Sequence, residues 1–156
     1  MTRHVLITGM SGSGKSTVIR ALRDAGCEAV DLDEGYTVVA DDGTQLWNDM
    51  LVGWLLAADK GDVLFVAGCE ENMVDFLPQF DCVILLSAPR DVILDRLAER
   101  TGNDFGKDPV ERAKVLFDLE TVEPVLRRIA DHEIVTTAPL DEVVEAILWL
   151  SAGPMA

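Results

Sequence analysis

Three features predict an α/β fold in which helices cover both faces of a parallel sheet. Short apolar runs alternate along the chain with segments of helical spacing. The runs are separated by connections long enough to return the chain to the same end of a sheet, as parallel neighbours require. A glycine- and serine-rich turn stands between the first run and the first helical segment. Val5-Leu6-Ile7-Thr8 reads as a strand buried on both faces, ending at Gly9. A helix over Ser16 to Ala25 follows from the spacing of Val18, Ile19, Leu22 and Ala25, and Gly26 stops it. Glu28 to Leu32 is the second strand. Asp41-Asp42-Gly43 marks a turn, after which Leu46, Met50, Leu51, Trp54, Leu55 and Ala58 predict a second helix closed by Lys60-Gly61. Val63 to Ala67 and Cys82 to Leu86 are two further buried strands, separated by a shorter stretch containing Pro78. After Pro89 a helix carries Val92, Ile93, Arg96, Leu97 and Arg100 and ends near Thr101-Gly102. A polar loop to Pro109, a long helix from Pro109 to Ile129, a strand at Glu133 to Thr136 and a helix from Leu140 to Leu150 complete the chain. Ser151 to Ala156 is expected to fray.

Length and composition limit what this fold is for. The 156 residues, 49% apolar and 26% charged, suit one domain with one ordinary core. Against 13 Lys plus Arg stand 28 Asp plus Glu, a formal charge of −15, which repels nucleic acid and anionic lipid surfaces. No apolar run approaches the roughly 20 residues of a membrane span. The start has no apolar signal region, and Cys27, Cys69 and Cys82 are odd in number, widely spaced and lack a C-x-x-C pair. A cytoplasmic protein with reduced cysteines is expected.

Gly9-Met10-Ser11-Gly12-Ser13-Gly14-Lys15-Ser16 satisfies G-x-x-x-x-G-K-[ST] in the strand–turn–helix context that gives the pattern its meaning. Backbone N–H groups of Met10, Ser11, Gly12, Ser13, Gly14, Lys15, Ser16 and Thr17 are expected to converge on phosphate oxygens, helped by the positive end of the helix. Lys15 bridges the outer phosphates and Ser16 offers its hydroxyl to magnesium. At the end of the second strand, Asp31-Leu32-Asp33 sets two carboxylates on one face. Asp31 is suited to hold magnesium through water and Asp33 to orient or deprotonate a substrate hydroxyl.

In these residues the chain resembles the small P-loop kinases, which include shikimate, gluconate and adenylate kinases. Asp31-Leu32-Asp33 matches the D-x-D of shikimate-type members, and Asp91 to Arg100 is similar to the arginine-bearing helix that precedes their lid. The resemblance implies a three-layer P-loop fold with strand order 2-3-1-4-5 and a lid at about 102–109. It also implies that Arg96 and Arg100 contact nucleotide phosphates and that Thr137-Ala138-Pro139 lies against adenine. After the third strand, Gly68-Cys69-Glu70-Glu71-Asn72 departs from the family's usual patterns, and Glu70 is either a substrate contact or a residue behind the magnesium ligands.

The acceptor region, at about 33–60, carries the charge argument. From Asp24 to Pro89, Lys60 is the one basic residue among fourteen acidic ones. Carboxylated or phosphorylated acceptors call for planar bidentate donors, and this stretch has no arginine. The expected function is ATP- and Mg²⁺-dependent phosphoryl transfer to a hydroxyl of a small neutral or cationic acceptor, such as a nucleoside, sugar or amino sugar. Lys15, Asp33, Arg96 and Arg100 carry the chemistry. Asp33, Tyr36, Trp47 and Glu70 hold the acceptor, while helical spacing assigns Trp54 to the core. The alternative is a nucleotide-dependent ATPase or switch acting on a protein partner.

Overall fold

The computed structural model describes residues 2–99 and 107–152. Five parallel strands form the central sheet: β1 (Arg3–Thr8), β2 (Glu28–Asp31), β5 (Val63–Ala67), β6 (Cys82–Ser87) and β7 (His132–Val135). Their spatial order is β2-β5-β1-β6-β7, which is 2-3-1-4-5 when only the strands of this sheet are counted. Between them lie α1 (Lys15–Asp24), a hairpin of β3 (Thr37–Val39) and β4 (Gln45–Trp47), and α2 (Asp49–Ala57). Two short 3-10 turns, Glu71–Asp75 and Leu77–Gln79, lead from β5 to β6. Helices α3 (Arg90–Glu99), α4 (Pro109–Thr121), α5 (Glu123–Ile129) and α6 (Leu140–Ser151) complete the order.

Alternation along the strands divides the core in two. Val5 and Ile7, Phe65 and Ala67, and Ile84 and Leu86 meet Val18, Ile19 and Leu22 of α1 and Val143 and Ile147 of α6. Leu6, Leu64, Val66, Val83 and Leu85 point the other way, toward Val52, Leu55 and Leu56 of α2 and Leu126 of α5. Each such buried side chain contributes about 1.5–3 kcal/mol relative to exposure, so neither face can be left open. Ile93 and Leu97 of α3 join Val115 of α4 in a smaller cluster.

Three expectations are corrected. The second helix begins at Asp49, not Leu46, because Asn48 caps it by accepting the Leu51 N–H at 3.1 Å, and the residues before it pair as a hairpin. Trp54, assigned to the core, is 63% exposed, since apolar residues surround α2 and its spacing does not select a buried face. The long helix from Pro109 is two helices that break at Val122. Pro124 cannot donate to the carbonyl four residues back, so the chain starts a new helix in whose first turn proline is tolerated.

Trp47 is the packing anchor between the hairpin and the sheet. It is 1% exposed, its ring centroid lies 5.7 Å from that of Phe76, and Asn72 clamps its backbone by accepting from Trp47 N at 3.0 Å and donating to Trp47 O at 2.9 Å. Gly68 allows this approach, because a Cβ there would stand 2.9 Å from the indole Nε1 and 3.0 Å from Cζ2. The ring is rigid and enclosed, so it cannot give way cheaply. Gly68→Ala is therefore expected to destabilise the protein by about 1–3 kcal/mol, read as a lower urea midpoint, with the buried tryptophan's fluorescence shifting to the red. An unchanged midpoint would show that the indole has room to move.

Candidate functional site

All five parallel strands end at one edge, and every element of the site leaves from it. The turn after β1 runs Gly9 to Gly14 and delivers the chain to α1 through Gly14, whose φ of 105° is left-handed and suits glycine. No side chain caps α1, and its first turn holds no acidic residue, so its leading N–H groups remain available to an anion. Lys15 folds back over this turn, donating to the carbonyls of Gly9 at 2.6 Å and Met10 at 3.0 Å. Burial lowers its pKa, while Cys69 and the carboxylates of Asp33, Asp31 and Glu70 act in the opposite sense and favour the charged ammonium.

Asp31, at the end of β2, is 4% exposed. It accepts from Ser16 Oγ at 2.8 Å and from the backbone N–H of Asp33 at 3.0 Å. A hydroxyl and a carboxylate are thus paired beside the glycine turn, the oxygen donor set that suits a small hard cation. Asp33 stands beyond them at the rim, its carboxyl pKa raised first by desolvation and then by the charge of Asp31, against the pull of Lys15. Glu70 follows β5 across the same edge. Desolvation and the charge of Asp33 lift it from an ordinary 4.5 to about 7, opposed by Lys15 on α1 and Lys114 on α4, with Glu71 adding a small upward push.

The other sequence-predicted residues are distributed as follows. Met10 and Ser13 are buried in the turn, Ser11 and Gly12 are half-buried, and Thr17 is exposed in the first turn of α1. Arg96 does not offer a free fork to this space. Its Nη1 donates to Gly12 O at 3.1 Å and Thr136 Oγ1 at 2.9 Å, and its Nη2 to Thr136 O at 2.8 Å. It is a strut behind the turn. Trp47 belongs to the core beneath the site and forms no exposed pocket wall, because its ring is enclosed against Phe76 and Gly68. Tyr36 is half-buried against the same cluster. Thr137, Ala138 and Pro139 are exposed at the entrance to α6. Arg100 and residues 101–106, most of the expected lid, lie outside the described residues.

Sequence reasoning missed Thr136, which donates to Ser13 O at 2.7 Å and so ties the turn to the end of β7. It also missed Lys114, the α4 cation that acts on Glu70 and donates to Asp118 at 2.9 Å. The Thr136 bond to Ser13 and the action of Lys114 on Glu70 arise from tertiary placement, and no local pattern marks them.

Residues 5–117 match a family model described as an AAA domain. Shikimate kinase 2 of Yersinia enterocolitica is 30% identical, with 97% of each chain covered. This chain is a member of the small P-loop kinase family. A sugar kinase from Janibacter sp., solved without ligand, superposes with a TM-score of 0.64 at 25% identity, over 99% of this chain and 97% of that one. A shikimate kinase from Acinetobacter baumannii, solved with shikimate, gives 0.68 at 19% identity over 96% and 93%, a likeness of fold. Other relatives are described as nucleotide-binding proteins, and this chain spans about half of the one from Cereibacter sphaeroides strain KD131, at 29% identity. Among the described residues no helix is long and apolar enough to cross a membrane.

The raised Glu70 carboxyl gives a pH prediction for the unliganded P-loop kinase fold. Between pH 4.5 and about 7 the folded protein retains a proton that the unfolded chain releases, so stability contributed at this position falls as pH rises through that window. Glu70→Gln removes the loss. In thermal denaturation without nucleotide the variant is expected to gain on the parent at pH 8 relative to pH 5, by on the order of 1 kcal/mol after solvent screening of a half-exposed carboxyl. An equal difference at both pH values would show that Glu70 titrates normally.

Proposed function

We propose that this protein transfers the γ-phosphate of Mg-ATP to a hydroxyl of a small neutral or cationic acceptor. One observation carries the reading: Asp31, paired with Ser16 at 2.8 Å, leaves Asp33 as a separate carboxylate with a raised pKa at the acceptor end of the phosphate turn. Ser16 and Asp31 would hold the magnesium ion, which supplies charge neutralisation across the phosphates. The turn's N–H groups and the start of α1 bind the phosphate oxygens. Lys15 exchanges its carbonyl partners for the outer phosphates, and Arg96 keeps the turn in shape while this happens.

Asp33 orients the acceptor hydroxyl and takes its proton. The hydroxyl oxygen forms the new bond to the γ-phosphorus, the bond from that phosphorus to the β,γ-bridging oxygen breaks, and ADP leaves with the bridging oxygen. A carboxyl held above its ordinary pKa is the better proton acceptor for this step. Residues 1–156 act as one domain in this reading, with the acceptor held over about 33–60 and a lid at about 102–109 excluding water. Arg100 serves the phosphates, and Thr137, Ala138 and Pro139 border the base. The reaction is placed in the cytoplasm. The sugar kinase of like fold supports a sugar as acceptor.

A second reading, an ATPase or switch acting on a protein partner, is favoured by the relatives described as nucleotide-binding proteins. Acceptor-dependent ADP release separates the two. Lys15→Ala is expected to lower turnover by about 10²–10³-fold and weaken nucleotide binding. Asp33→Asn is expected to leave ATP affinity within about twofold by calorimetry while lowering transfer by about 10²–10⁴-fold. Full transfer activity in Asp33→Asn would remove Asp33 from the mechanism.

A further inference from the structure

Glu70 presents a carboxyl that no step of the proposed reaction uses. The register pairs Asp31 with Ala67, so the exit of β2 through Leu32-Asp33 and the exit of β5 through Gly68-Cys69-Glu70 run side by side. The Glu70 side chain caps nothing in the 3-10 turn that follows it, and the charge of Asp33 acts on its carboxyl. Among the described residues, Lys15 and Lys114 act on it, and both have other work. Lys15 is held by Gly9 O and Met10 O at the phosphate turn, and Lys114 donates to Asp118. On the β2 side, Arg23 donates to Ala29 O at 2.8 Å and pairs with Glu34 at 3.6 Å. A second unsatisfied group lies beneath the same edge. The indole edge of Trp47 abuts Gly68, where β5 becomes this turn, and its N–H, on a ring 1% exposed, has no partner among the described residues.

These groups discriminate between acceptor chemistries. An anionic acceptor would bring like charge against Asp33 and Glu70, which disfavours its binding. A neutral polyol would satisfy hydrogen bonds and leave the Glu70 charge unmatched. A polyol that carries an ammonium group offers a hydroxyl to Asp33 and a cation to the Glu70 carboxylate. Desolvation first and the charge of Asp33 second raise the Glu70 pKa, against Lys15 and Lys114, and a further cation beside it would favour its charged form.

We infer that the acceptor is an amino sugar or similar aminated polyol, whose ammonium is held by Glu70 while one of its hydroxyls addresses Asp33. The inference rests on the phosphotransferase reading above and narrows it. The hydroxyl oxygen, not the nitrogen, forms the bond to phosphorus, and the amine stays protonated throughout.

The test measures ADP release from Mg-ATP with matched sugars: glucosamine and galactosamine, their neutral parents glucose and galactose, and the acids gluconate and glucuronate. The parent protein is expected to prefer at least one amino sugar over its neutral parent by about tenfold or more in kcat/KM, the ratio that one charge-assisted hydrogen bond supports. In Glu70→Gln that ratio is expected to fall toward one through a higher KM for the amine, and Glu70→Asp is expected to restore part of it. A purely structural role for Glu70 would lower activity with amine and neutral sugar alike. Stimulation by neutral or acidic sugars without preference for an amine, or a preference that survives Glu70→Gln, overturns the inference and leaves the kinase reading standing. Release unchanged by every compound overturns the transferase reading and the inference with it.

Discussion

A buried carboxylate must find partners, and Asp31 finds them in the two residues on which the site depends. Its oxygens accept from Ser16, at the start of α1, and from the backbone of Asp33, just past β2. An unmatched carboxylate at 4% exposure would cost several kcal/mol, so the hydrogen bonds fix where the strand stops and how the chain turns after it. Everything functional at this edge follows from that. The pairing sets the hydroxyl and carboxylate as neighbours and holds Asp33 at the rim, where desolvation and the Asp31 charge raise its pKa.

The phosphate turn is supported from behind by a second set of bonds. Thr136 receives two bonds from Arg96, donates to Ser13 O and gives its own N–H to Ser87 O at 2.8 Å. Arg96 also reaches Gly12 O. One arginine and one threonine therefore join the turn after β1 to the ends of β6 and β7. Donors aimed at a phosphate are useful only if they need not reorganise when charge develops, and this bracing meets that condition. It also changes what an arginine in this helix is for, since much of its hydrogen-bonding capacity is spent on protein oxygens.

Much of this was legible in the sequence because it is local. Val5-Leu6-Ile7-Thr8 followed by the glycine turn and Lys15-Ser16 specifies strand, loop and helix within sixteen residues, and burial of the strands on both faces makes their apolar runs continuous. The β3–β4 hairpin was not legible. Its strands are three residues each, they pair only with one another, and Val38 and Val39 are exposed. Leu46 then falls in step with Met50 and the helix after it, which hides the Asn48 cap. The hairpin faces Trp47 into the core, while the apolar residues all round α2 leave its spacing unable to show that Trp54 faces out. Thr136 and Lys114 were invisible because the first reaches a residue 123 positions away and the second acts from a helix beyond the lid region.

A protein of charge −15 that binds a polyanion needs its attraction to be local. At physiological ionic strength charges more than about 8 Å away are largely screened, so the acidic exterior weighs little at the phosphate turn. What acts there is the uncapped start of α1 and Lys15. The carboxylates nearest that lysine do not cancel it. Burial pushes the Lys15 pKa down, and Cys69, Asp33, Asp31 and Glu70 act against that shift. Asp33 and Glu70, which oppose this shift, have their own pKa values pulled down by the same lysine, so the cation and the acidic groups at this edge of the sheet set one another's protonation.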